Sequence, residues 1–164
     1  MEIYDSLLGA VCDEYDRVTL IKKSERGEVT LIRHRASGNR YIFRHFSGSS
    51  EVYRKLLTVS CPNLPQIMEV GDKEAKTALL EEYVQGDTLG EILQGGLLTA
   101  AQAKQITRQL CMALWVLHSL GVVHRDVKPD NVIIRGTEAV LIDFDASRIY
   151  KNENREDTCL LYTS

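Results

Sequence analysis

No stretch of the 164-residue sequence approaches the roughly 18 consecutive apolar residues that a membrane-spanning helix needs. There is no run of Lys and Arg either. The chain carries 20 basic and 23 acidic side chains, a net charge of −3, so it lacks the electrostatic footprint of a nucleic-acid or membrane-surface binder. Its N-terminus, MEIYDSLLGAVCDEYDR, is acidic and has no basic segment followed by a long apolar core, so no signal peptide is expected. The cysteines, Cys12, Cys61, Cys111 and Cys159, lie far apart, with no CxxC and no metal-ligand pair. Reduced thiols in the cytoplasm are the expectation. Internal repeats and low-complexity tracts are absent. What is present is an ordinary globular composition, 44% hydrophobic and 26% charged, long enough for one domain or two small lobes with a core.

The first half reads as strands. RVTLIKK (17–23), EVTLIRH (28–34) and RYIFRHF (40–46) are rich in β-branched and aromatic residues, and ASGN (36–39) is a hairpin turn between the last two. SEVYRKLL (50–57) is a short helix with Ser49 or Ser50 as its N-cap, stopped by CPNLP (61–65). QIMEV (66–70) and TALLEEYV (77–84) are two more strands around the turn GDKEAK. Near residue 84 the texture changes. DTLGEILQGG is a short helix ended by Gly95 and Gly96. Thr99 with Gln102 forms a capping box for a long helix. Its apolar residues Ile106, Leu110, Ala113, Leu114, Leu117 and Leu120 follow at helical spacing, Trp115 is expected in the core, and Gly121 closes it. NVIIR (131–135) and AVLIDF (139–144) are two strands joined by GTE.

Between the long helix and those strands stands VVHRDVKPDN (122–131), a polar cluster fenced by apolar runs. Loops held on a scaffold in this way often carry chemistry. If the two strands pair as a hairpin, Asp143 of DFD (143–145) returns to the mouth of the loop, where Asn131 begins the first strand. A carboxylate and an amide oxygen then converge, and hard oxygen ligands of this kind suit Mg2+ completed by phosphates and water. Asp126 would stand free nearby as a base, and Lys128 on the same side could neutralise phosphate charge.

HRDVKPDN followed by DFD resembles the catalytic loop and metal-binding motif of eukaryotic-type (Hanks-type) serine/threonine protein kinases, most like the bacterial ones. The resemblance runs from about residue 15 to 158. It implies an α+β, two-lobed fold: a small lobe of antiparallel strands with one helix over 1–84, and the start of a helical lobe over 85–158, with nucleotide between them. It implies ATP and Mg2+ as cofactors. Asp126 would orient the substrate hydroxyl and accept its proton, Lys128 would steady the transferred phosphate, and Asn131 and Asp143 would hold the metal. His124 and Phe144 would pack the loop, and Arg125 resembles the Arg that pairs with a phosphorylated activation loop. LLEEYVQGDTL (79–89) is similar to the segment linking the lobes. There the carbonyl of Glu82 and the amide of Val84 would meet the adenine, and Asp87 the ribose.

The sequence departs from the family pattern in four places. The glycine-rich phosphate loop falls on KKSERGEV (22–29), where only Gly27 and Val29 match. The strand Lys falls on Arg44, which keeps the charge but as a planar fork; phosphate or Glu51 of the short helix is its expected partner. Asp145 replaces the Gly of the metal motif and is expected to face solvent. The chain ends within the activation segment, and its last six residues, CLLYTS (159–164), resemble a translated sequencing adapter, so they are expected to be non-native. The function implied is ATP-dependent phosphoryl transfer to Ser or Thr hydroxyls of proteins, by a cytoplasmic catalytic domain present as an inactive fragment. A segment missing from the C-terminus could anchor the full protein to a membrane. No nucleic-acid partner is expected, and the oligomeric state is left open. The alternatives are a kinase-like small-molecule phosphotransferase, disfavoured by Arg125, Lys128 and Pro129, and a nucleotide-binding pseudokinase or scaffold, favoured by Arg44 and the poor glycine loop.

Overall fold

A computed structural model describes residues 3–150, and the tail 159–164 lies outside them. The chain divides into two units, the first made of residues up to Ser60 with Pro65–Tyr83, the second of Cys61–Leu64 with the residues from Val84 onward.

The first unit is built on a five-stranded antiparallel sheet. Its strands are β1 (Tyr15–Ser24), β2 (Gly27–His34), β3 (Arg40–Ser47), β4 (Ile67–Lys73) and β5 (Lys76–Glu82), in the spatial order β1-β2-β3-β5-β4. The alternation of a strand puts successive side chains on opposite faces. One face carries Ile32, Phe43, Ala78 and Leu80, and against it packs a helix that the sequence reading did not include, α1 (Ile3–Glu14). Tyr4, Leu7 and Val11, spaced three and four apart, form its buried stripe. Burial of side chains of this size is worth about 1.5–3 kcal/mol each. α1 lies so close to β4 that a Cβ on Gly71 would strike the backbone of Tyr4. Tyr4 also shares a 2.7 Å hydrogen bond with His45 Nε2, and Lys73 pairs with Asp5 at 2.7 Å.

α2 (Glu51–Leu56) follows β3 and buries Tyr53 and Leu56. Ser50 is its N-cap residue but makes no capping bond; its hydroxyl donates to Asp72 at 2.9 Å, and Ser49 Oγ accepts from the Glu51 N–H. The turn between β4 and β5 is tighter than expected. It consists of Glu74 and Ala75, both with positive φ (50° and 62°), where Asn-Gly is the usual choice.

The second unit contains β6 (Asp87–Thr88), α3 (Leu89–Gly95), α4 (Ala100–Ser119), β7 (Val122–Val123), β8 (Val132–Arg135), β9 (Glu138–Leu141) and β10 (Arg148–Ile149). Both helices start with a capping box, Thr88 with Glu91 and Thr99 with Gln102. β6, β8 and β9 form one antiparallel sheet, and β7 pairs with β10. The core gathers Ala113 and Leu117 of α4 with Val122, Val132, Val140, Leu141 and Phe144. Trp115 is not part of it. It is 67% exposed, because the buried stripe of α4 runs through Ala113 and Leu117 and Trp115, two residues from each, falls on the opposite side of the helical wheel.

Side-chain amides fasten β9. Asn63 donates to the carbonyl of Ala139 at 2.9 Å while its own carbonyl accepts from Leu141. Gln109 of α4 accepts from the Ala139 N–H and donates to the carbonyl of Thr137, to which Gln105 also donates.

Candidate active site

The chemistry of the second unit sits on the loop between β7 and β8. His124 opens it, almost fully buried. Its Nε2 lies 3.1 Å from the carbonyl of Ile142, and its Nδ1 accepts the N–H of Asp126 at 3.3 Å. This pattern requires a neutral ring protonated at Nε2. Burial holds the His124 pKa below its ordinary value, with the Ile142 carbonyl and the carboxylates of Asp143 and Asp126 opposing it. Phe144 meets the ring edge to face, with centroids 5.5 Å apart. His124 therefore ties the loop to the strand leading into DFD.

Arg125 adopts a left-handed φ of 69°, a conformation that a bulky residue reaches only at a cost. That bend presents Asp126. Asp126 is not the free carboxylate that the sequence suggested. Its Oδ2 accepts from Asn131 Nδ2 at 2.9 Å and pairs with Lys128 Nζ at 2.9 Å. The Lys128 hydrogen bond above all, helped by that from Asn131, keeps its carboxyl below the usual carboxylate range against the opposing effect of desolvation, and Lys128 is raised in return. The group is ionised throughout the neutral range.

Asn131 ends a 3-10 turn over Pro129–Asn131 and is buried. Its Nδ2 donates both to Asp126 Oδ2 and to the Asp126 carbonyl, each at 2.9 Å. Since both partners are acceptors, the orientation of the amide is dictated, and its oxygen is the atom left to meet a cation. The backbone carbonyl of Asn131 accepts from Ile142, so Asp143 is delivered beside the start of β8, as the hairpin predicted. Asp143 has φ 65°, again left-handed, and its Oδ1 accepts from the N–H of exposed Asp145 at 3.3 Å. Among the described residues no three His, Cys, Asp or Glu side chains gather as a metal cage. An amide oxygen and a carboxylate fit Mg2+ only as a partial shell, completed by phosphates and water.

In the same unit Val84 is buried and Asp87 is exposed on β6 opposite Ile134. A Cβ on the neighbouring Gly86 would strike the Ile134 carbonyl, so glycine there serves a close backbone approach.

In the first unit Arg44 is only 5% exposed. Its Nε donates to Glu81 Oε2 at 3.0 Å. The carboxylate that meets Arg44 is therefore Glu81 of β5, whereas Glu51 is exposed in the first turn of α2. Strand register explains this: Arg44 lies opposite Leu79, and Glu81, two residues on, shares that face. The sequence carried a signal that was not used, an acidic residue inside the apolar run of TALLEEYV, which when buried demands a cation. Val29 lies directly opposite Arg44 on β2. Gly27 pairs with Phe46 so closely that a Cβ would strike the His45 carbonyl, so packing alone requires glycine here. At Glu82 the backbone N–H donates to the Gln66 carbonyl and Oε2 accepts from the Gln66 N–H.

Set against solved structures, the chain resembles the crystal structure of Rad53 1–466 in complex with AMP-PNP. The TM-score is 0.70 at 21% identity, over 82% of this chain and 39% of that one, a likeness of fold. A family model described as the protein kinase domain matches residues 17–163. The chain belongs to the protein kinase domain family. Among curated relatives it is 34% identical over 100 residues to the serine/threonine-protein kinase pkn2 of Myxococcus xanthus, 58% of this chain and 12% of that protein. It is 38% identical over 85 residues to serine/threonine-protein kinase D of Synechocystis sp., 51% of this chain and 16% of that protein. The chain thus spans a small part of the curated relatives it matches. No helix among the described residues is long and apolar enough to cross a membrane.

Proposed function

We propose that the chain is part of the catalytic domain of a serine/threonine protein kinase that transfers the terminal phosphoryl group of ATP to a protein hydroxyl. The observation that carries this is the Asp126–Lys128–Asn131 cluster: a carboxylate oriented by an amide, beside an ammonium, on a loop fixed by a buried histidine. Asp126 orients the substrate hydroxyl. As the hydroxyl oxygen bonds to the terminal phosphorus, the bond from that phosphorus to the bridging oxygen breaks, its electron pair leaves on ADP, and the hydroxyl proton passes to Asp126. Because Asp126 is a weak base, its larger service is orientation, with the proton moving late. Lys128 balances charge on the transferred group. Mg2+, when bound through Asn131 and Asp143, would neutralise charge on the phosphate oxygens. Glu82, Val84 and Asp87 would serve the adenosine by the backbone and ribose contacts that the family resemblance implies. Arg44 supplies a cation for the phosphates, beside Val29; Gly27 contributes backbone only.

The test is Asp126→Asn in the full-length protein. Single-turnover transfer should fall about 10²–10⁴-fold while ATP affinity holds. Wild-type turnover in the variant would remove Asp126 from the mechanism. A nucleotide-binding, non-catalytic reading draws on one observation, the engagement of Arg44 by Glu81. ATP binding without transfer by the full-length wild-type protein would select it.

A further inference from the structure

We infer that Glu81, and not Glu51, positions Arg44 for the nucleotide phosphates, so that nucleotide binding is independent of the carboxylate on α2. The inference rests on the reading just given, in which Arg44 serves the phosphates. Three observations support it. First, Arg44 and Glu81 are diagonal neighbours on one face of adjacent strands, β3 and β5, in a register shared over seven residue pairs from Tyr41↔Glu82 to Ser47↔Lys76. Second, both side chains are buried, at 7% and 3% exposure, where an ion pair is poorly screened and well defined. Third, the bond is made through Nε.

Arginine has five N–H donors in a rigid fork, so a carboxylate that accepts from Nε fixes the plane of the guanidinium from its side. A lysine ammonium offers no such lateral handle. The two departures from expectation, arginine at position 44 and an acid buried in β5, therefore account for one another. Glu51, by contrast, is exposed on a six-residue helix. Positioning from a neighbouring strand of the same sheet leaves Arg44 arranged before nucleotide arrives, with no helix movement required.

Calorimetric titration of the 164-residue chain with MgATP, and separately with adenosine, tests this. Adenosine lacks phosphates and reports whether the remainder of the nucleotide site is intact. Glu51→Ala should bind MgATP within about twofold of wild type. Glu81→Gln should bind MgATP about tenfold or more weakly, as Arg44→Gln does, because bonds to charged groups are worth that much. Adenosine affinity should stay within about twofold, and the double variant Arg44→Gln/Glu81→Gln should be no weaker than Arg44→Gln alone. Glu81→Asp retains the charge but shortens its reach; it should fold and still lose MgATP affinity more than twofold, with adenosine unchanged. That variant carries the test if Glu81→Gln does not fold.

Unchanged MgATP affinity in Glu81→Asp and Glu81→Gln would overturn the inference. So would a loss in Glu51→Ala equal to that in Arg44→Gln, or equal losses for adenosine and MgATP in the Glu81 variants. Wild type that binds neither ligand would overturn the kinase reading and this inference together. Wild type that binds both, with Glu81 variants unaffected, would overturn the inference alone.

Discussion

The two charged groupings of this chain are assembled in opposite ways. In the second unit, Asp126, Lys128 and Asn131 lie within six residues of one another, and the loop that carries them meets its own backbone through His124 and Asn131. In the first unit, Arg44 and Glu81 are 37 residues apart and meet only because β3 and β5 are in register. The ion pair of the local cluster is exposed, with side-chain exposures of 48% and 39% for Lys128 and Asp126, so it adds little to stability and its value lies in orientation. The distant pair is buried, so it bears on folding as well as on any ligand. Proximity in sequence provides geometry with little dependence on the rest of the fold. Proximity through a sheet makes the site and the stability of the sheet one problem.

The contrast is broken most severely at the buried pair. Glu81→Ala or Arg44→Met alone should cost about 3–5 kcal/mol in urea unfolding, because a buried charge loses the opposite charge of this pair. Arg44→Met with Glu81→Leu should recover most of that loss. Equal stability of the single variants and wild type would show the pair to be solvated. Next in size, Gly27→Ala should cost about 1–3 kcal/mol by forcing β2 from β3. A Tm equal to wild type would return Gly27 to a purely phosphate-binding role.

In the second unit the expected lever is pH. His124 is held neutral by burial, its folded pKa below its unfolded one. The unfolded chain therefore binds more protons between those two values, and stability falls as pH drops below the ordinary histidine range, reaching its floor beneath the folded pKa. A Tm series from pH 7.5 to 5 should show this fall, and His124→Gln should flatten it; an unaltered slope would assign the effect elsewhere. The smallest effect concerns strain. Ala75 sits at φ 62° in a turn without chemistry, so Ala75→Gly should raise stability by up to about 1 kcal/mol. A lower Tm would mean that chain entropy outweighs the relieved strain.

The same contrast explains what could be read in the sequence. Runs rich in β-branched and aromatic residues, bounded by turns, exposed the strands of the first sheet, the capping box at Thr99 announced α4, and the spacing of HRDVKPDN to DFD foretold the return of Asp143 beside Asn131. These are local signals. Whether the site residues act as the family resemblance implies is a matter for the experiments above. α1 was missed because its apolar stripe is only three residues, Tyr4, Leu7 and Val11, with charges and small residues between them, and the sheet face that stabilises it lies far along the chain. Glu81 is not legible as the partner of Arg44 because which strand residue shares its face depends on the register of β3 and β5. Trp115 was misplaced because size suggested burial, while the angular position of its neighbours decided otherwise. Asp126 looks free in the sequence because its amide and ammonium partners, Asn131 and Lys128, are also residues with roles of their own.

The amide clamps on β9 lead to one further consequence. Asn63 meets the carbonyl of Ala139 through its side-chain amide and the N–H of Leu141 through its backbone carbonyl, while Gln109 and Gln105 hold Thr137 and Ala139 from α4. A strand that slipped by one residue would invert every side chain beyond it, and Asp143 follows two residues after β9 ends. The long helix thus acts as a ruler: two of its uncharged side chains, with Asn63, measure out where the carboxylate of Asp143 emerges.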